Sequence, residues 1–109
     1  MAMHEFGIMP VPPQHGERFD TYRPEFYDIL PVDDRYIEPI IKKLANIKMY
    51  AHTIDIPHTG LVYCGITLIP PEAAEPFIGL IDGSKELLPL KELFVKAKKS
   101  NQYVIHFGL

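Results

Sequence analysis

The chain has a single cysteine and a deficit of cations, and each shortage removes a class of function. With Cys64 alone, neither an intramolecular disulfide nor a cysteine-built zinc site can form, which fits a reducing compartment. Lysine and arginine total 11 against 14 aspartates and glutamates, a formal charge of -3, so the basic footprint of a nucleic-acid binder is missing. No apolar run approaches the roughly 20 residues of a membrane-spanning helix, and the first residues lack the basic-then-apolar pattern of a secretory signal. The 7 glycines never form the glycine-rich, lysine-terminated loop that cradles phosphate. The expectation is a cytoplasmic protein that engages neither nucleic acid nor membrane, with the closely spaced Met1 and Met3 suggesting Met3 as its natural start.

What is present fits one compact unit. A length of 109 residues at 47% hydrophobic is enough for one core, burying roughly 65% of the unfolded surface, and leaves no room for a second independent domain. Charge is uneven: residues 1–38 carry eight acids and three bases, and residues 39–109 carry six acids and eight bases. The front of the chain is therefore drawn electrostatically to the back, within or between subunits.

The first 31 residues hold Pro10, Pro12, Pro13, Pro24 and Pro31 together with Phe6, Phe19, Tyr22, Phe26 and Tyr27. Proline opposes regular structure, whereas aromatics oppose disorder because each can bury about 150 to 250 Å². Residues 1–31 are accordingly expected as an extended arm over a single domain at 32–109, with a short edge strand near Glu5 to Met9 as an option.

Beyond the arm, Ile37, Ile40, Ile41 and Leu44 recur at helical spacing behind acidic residues, predicting a helix at about 34–46 that Pro39 disturbs. Pro71 can open a second helix with the stripe Ala74, Phe77, Ile78 and Ile81, ending at Asp82 and Gly83. Ser84 is a candidate cap for a third, with the stripe Leu90, Leu93, Phe94 and Ala97 and lysines in its last turn that complement the helix dipole. The segments IEPII (37–41) and AEPFI (74–78) echo one another, but one echo does not define a repeat.

Strands are predicted at 48–54 and 61–69, as a hairpin around DIPHTG, and at 102–107. The result is an α+β fold: a small sheet made of that hairpin plus the C-terminal strand, packed by about three helices. Centring the turn on Pro57 and His58 makes His52 face Tyr63, Tyr50 face Gly65 and Ile54 face Leu61. Met49, Ala51, Val62, Cys64, Ile66 and Leu68 would then form the core face, with Cys64 buried. Tyr50, His52, Tyr63 and Thr67 would project the other way, joined by His106 from the last strand.

Those five residues, Tyr50, His52, Tyr63, Thr67 and His106, are the candidate site. One function for them is a binding or protein-interaction surface, covered by the arm or a partner. The alternative is a small enzyme in which His52 or His106 is a general acid or base in a shallow pocket, with tyrosine hydroxyls orienting a polar ligand. No acidic residue on these strands is placed to orient either histidine. The five histidines show no metal-ligand spacing, so neither metal nor cofactor is expected, and any small-molecule ligand is unspecified. A narrow sheet with unpaired edges predicts a homodimer or a complex with another protein.

Overall fold

The computed structural model describes residues 2–109. Among them, six strands form one antiparallel sheet: β1 (Met3–Ile8), β2 (Leu30–Asp33), β3 (Lys48–Ala51), β4 (Pro57–Thr59), β5 (Ile66–Ile69) and β6 (Val104–Phe107), in the order β2-β1-β6-β5-β3-β4. The first helical segment runs from α1 (Asp34–Ile37) through a 3-10 turn (Glu38–Ile40) into α2 (Ile41–Leu44), and α3 (Pro71–Ile81) and α4 (Leu88–Lys99) follow. The α+β class and the three helical regions match the sequence expectation; the sheet is wider than expected. No helix among the described residues is long and apolar enough to cross a membrane.

Local chemistry explains the helices. The Asp33 carboxylate accepts from the Arg35 amide at 2.9 Å, capping α1. Pro39 then has no amide to give the carbonyl four residues back, and the segment tightens into its 3-10 turn before α2 resumes. Pro71 occupies the first turn of α3, where a missing donor costs nothing, and Gly83, at φ 89°, lets the chain turn away after Asp82. Ser84 is not a cap: α4 begins behind Leu87 with no side-chain hydrogen bond, opened instead by Pro89.

The sheet carries a different covering on each face. On one, Phe6, Val32, Met49, Ile69 and Val104 pack under Ile37, Leu44, Phe77, Leu90 and Phe94 from the helices. Phe77 and Phe94 stack with ring centroids 4.3 Å apart, and both meet Phe6 edge-on. On the other face a smaller cluster of Met9, Ile66, Leu68, Ile105 and Phe107 is covered by Phe19, Tyr27 and Ile29.

The expected hairpin is corrected in register. β3 and β5 do pair, but Tyr50 faces Leu68 and Ala51 faces Thr67, whereas the expectation set Tyr50 against Gly65. An odd shift of this kind carries one strand's alternate residues to the opposite face. Met49 therefore shares the helix face with Thr67 and Ile69, while Tyr50 joins Leu68 on the other. The cause lies in the intervening loop. His52 adopts a left-handed φ of 61° that ends β3 at Ala51, and Pro57–Thr59 return as β4 on the far side of β3. Residues 61–65 form a loop and turn instead of strand, so Cys64 is exposed, contrary to the expectation of a buried thiol.

The first 31 residues are not all arm. β1 is an interior strand between β2 and β6, with Phe6 opposite Leu30 on one side and His106 on the other. What remains is residues 10–29, an irregular strap with one 3-10 turn (Pro24–Phe26) crossing the second face of the sheet. Gly7 permits the crossing, since a Cβ there would lie 2.9 Å from the Tyr27 Cβ.

Candidate functional site

Tyr63, Thr67 and His106 do come together, on the helix face. Thr67 and His106 are cross-strand neighbours in β5 and β6, and His4 lies two residues along β1 from Phe6, which pairs with His106 on the opposite side. Asp34, first residue of α1, and Tyr63, from the loop before β5, reach the same point. The result is a continuous polar chain through the apolar layer. Val62 N–H donates to Thr67 Oγ1 at 2.8 Å, Thr67 Oγ1 lies 3.1 Å from His106 Nδ1, His106 Nε2 lies 2.9 Å from His4 Nδ1, and His4 Nε2 lies 2.8 Å from Asp34 Oδ1. Tyr63 Oη donates to the same Asp34 oxygen at 2.6 Å.

The donors can be assigned by elimination. A carboxylate only accepts, so His4 Nε2 carries a hydrogen. With neutral rings, His4 Nδ1 must accept from His106 Nε2–H, and His106 Nδ1 must accept from the Thr67 hydroxyl. Every member then has a partner, and among the described residues no buried side-chain polar atom lacks one. His4, Thr67 and His106 are each 0% exposed, and the two rings stack 5.1 Å apart at 17°.

The surroundings move the titration of His106, Asp34 and Tyr63 away from neutral pH. Burial, reinforced by the neighbouring His4, pushes His106 down to about 3, so its ring is uncharged in neutral solution. The Tyr63 hydroxyl and then the His4 ring hold the Asp34 carboxyl below its usual value, and that carboxylate in turn drives Tyr63 up to about 12. A general acid or base works best with a pKa near the operating pH, and none of these three is tuned that way.

His52 belongs to a different assembly, and Tyr50 to neither. The His52 amide donates to the Ile66 carbonyl at 3.1 Å, its carbonyl accepts from the Phe19 amide at 2.7 Å, Nδ1–H is shared between the Phe19 carbonyl at 3.1 Å and the Asp20 carboxylate at 3.2 Å, and Nε2 faces the Ile66 amide at 3.5 Å. One histidine thus brackets the strap to β5 with its backbone and both ring nitrogens. The left-handed backbone makes this possible, and histidine is among the few residues that tolerate it. Gly65 leaves room for the ring, because a Cβ there would lie 2.9 Å from Nε2. Tyr50 lies half-buried against the strap-side cluster.

A second clamp lies nearby, where the Asp55 carboxylate takes His15 Nδ1 and the Gly16 amide, each at 2.6 Å. On either side of strap residue Asp20 the face opens into cavities of about 390 Å³ and 290 Å³, both bordered by Asp20 and Phe107. Tyr22, His52 and Cys64 line the larger. Tyr22 is half-exposed at 57%, bonds Glu5 and packs edge-on to Phe107; Phe26 is 61% exposed, with the Arg23 guanidinium 5.7 Å from its ring.

His4 and Asp34 were not among the candidate residues read from the sequence. Only the alternation of His4 with Phe6 in a strand, and the Asp33 cap that fixes Asp34 in the first turn, were local signals for either. No group of three or more histidine, cysteine or acidic side chains among the described residues is arranged to hold a metal ion. No protein-family model matches the chain, and no curated protein or solved structure matches it.

Proposed function

We propose that this protein is a small binding module that recognises another protein through the strap-covered face of its sheet. The observation that carries the proposal is the weak attachment of an aromatic segment. Among the described residues, the Phe19 amide to His52 carbonyl contact is the one backbone-to-backbone hydrogen bond from residues 10–29 across to positions 51–109, the other ties being made through the side chains of His15, His52 and Asp55. Sheet and helix elements have dense ladders; an element with so few opens at low free-energy cost. It nevertheless presents Tyr22, Arg23 and Phe26 to solvent, and Tyr and Arg are enriched among residues that dominate interface energies.

The acid-base alternative draws less support. Both ring nitrogens of His52 are engaged, and His106 is buried and held neutral. Partner addition at the sheet edges is also disfavoured, which bears on the expectation of a homodimer. Asp34 N bonds to the Ala2 carbonyl, so Pro31 falls at the position whose nitrogen faces the open edge of β2. Gly60 N bonds to the Ile47 carbonyl, and by the same alternation Pro57 faces outward from β4. Each edge has a proline where it spares the internal ladder and denies an incoming strand a donor.

A photo-crosslinker on Cys64, the single cysteine, tests the proposal without further engineering. It should capture a defined partner saturably in extracts of the source cells, with capture lost in the Tyr22→Ala, Phe26→Ala double variant. Equal capture by that variant, or by a Cys64→Ser protein labelled instead at Lys99→Cys on α4, would reject this face as the recognition surface.

A further inference from the structure

The polar chain on the helix face has a property that its structural role does not require. Its hydrogen bonds run in one direction from Val62 N–H to Asp34, and they do so only while both imidazoles are neutral. Add one proton and His106 can donate from Nδ1 to Thr67 Oγ1, while a single hydrogen still spans the 2.9 Å gap between His106 Nε2 and His4 Nδ1. The chain then survives in altered form, as a cation opposite the Asp34 carboxylate. Add a second and both nitrogens across that gap are N–H donors, with two like charges in a site 0% exposed on either residue.

We propose that the His4–His106 pair is an acid-sensitive lock that fastens β1 to α1, β5 and β6, opens when both rings are protonated, and frees with β1 the strap that follows it. Continuity of the chain makes the link, since β1 ends at Ile8 and the strap begins two residues later. The surroundings leave the lock little buffering. From α1 comes Asp34, while Asp33 is tied outward to Arg35; from the loop comes Tyr63, with Glu38 of the 3-10 turn acting on it; from β1 comes Phe6, itself packed by Phe77 of α3 and Phe94 of α4. Asp34 is thus the carboxylate that contacts the pair, and its own protonation in strong acid removes the compensating charge. The lock needs no assumption about a binding partner.

The sign follows from proton uptake. An unfolded histidine takes a proton near its ordinary value of 6.5, but folded His106 resists until about 3. Between those limits the unfolded state holds the extra proton, so stability is full above the window and falls as pH drops through it, by up to tenfold in the folded-to-unfolded ratio per pH unit. The experiment is imidazole nitrogen NMR with denaturant titrations and amide exchange from pH 7 to 4. Both rings should be protonated at Nε2 and bare at Nδ1 at pH 7, and the Phe6 and Phe19 amides should lose protection together in acid. His106→Gln, whose amide can accept from Thr67 and donate to His4, should flatten the pH dependence. If that variant does not fold, the wild-type tautomers and exchange still decide. An Nδ1–H tautomer for His106 at pH 7, titration of His106 near 6.5, or equal exchange of Phe6 at both pH values would overturn the lock.

Discussion

The two faces of this sheet are covered by unlike materials, and the difference separates the part that holds the fold from the part free to act. Helices α3 and α4 bring Phe77, Leu90 and Phe94 to the first face, each 0% exposed, and a polar chain with all its partners crosses the same layer. The second face has a smaller buried cluster under a strap of prolines and aromatics, pinned by the His52 bracket and the Asp55 clamp. Burial stabilises in proportion to apolar area, and a satisfied polar network adds a penalty for partial opening. At neutral pH the helix face should therefore unfold only with the whole protein, whereas the strap can lift on its own.

Core truncation should break this comparison most visibly. Phe77→Ala should cost about 3 to 5 kcal/mol in urea unfolding, because it leaves a cavity beside Phe94 and Phe6. Phe19→Ala, removing a half-buried ring from the strap, should cost about 1 kcal/mol. Comparable losses would mean that the strap is as integral as the helices.

Next in size is Thr67→Val, which keeps the shape but strands the Val62 amide and leaves His106 Nδ1 without a donor. A loss of about 1 to 3 kcal/mol is expected by the same measurement. Tyr63 offers a check from the alkaline side. Its folded value of about 12 exceeds the ordinary 10, so its contribution is complete below pH 10 and is lost as pH rises from there toward 12. Tyr63→Phe should shrink that alkaline limb, to which Tyr22, Tyr27 and Tyr103 also contribute; an unchanged limb would mean that the Asp34 contact does not form.

The smallest global effects belong to the strap. His52→Asn keeps the left-handed backbone but removes the ring, and should cost less than about 1 kcal/mol while speeding exchange of the Phe19 amide, whose bond to the residue-52 carbonyl loses the ring contact beside it. Thiol labelling of Cys64 should be fast in the native protein, since the residue sits exposed in its turn. Slow labelling would revive the buried orientation that the hairpin reading required.

Much of this division was legible in the amino-acid order, though not its register. The stripe from Ala74 to Ile81, its Asp82–Gly83 stop and the acidic start at Asp33 all depend on neighbours a few residues apart, and each is where local chemistry puts it. The face shared by Thr67 and His106 was also readable, because alternation within β5 and β6 is a local property. The hairpin failed at His52, where a left-handed residue ended a strand that composition would have continued. The partners of His106 were hidden for another reason: His4 lies 102 residues away in sequence, and no periodicity reports a contact of that span.

Native-state amide exchange separates the two faces in one experiment at pH 7, by comparing Phe19 in the strap with Ile105 in β6. Phe19 should exchange by local opening, with little dependence on denaturant and a free energy far below that of unfolding, while Ile105 should follow global unfolding. If both amides exchange with the same free energy and the same denaturant dependence, strap and sheet open as one unit and the account of two unlike faces is wrong.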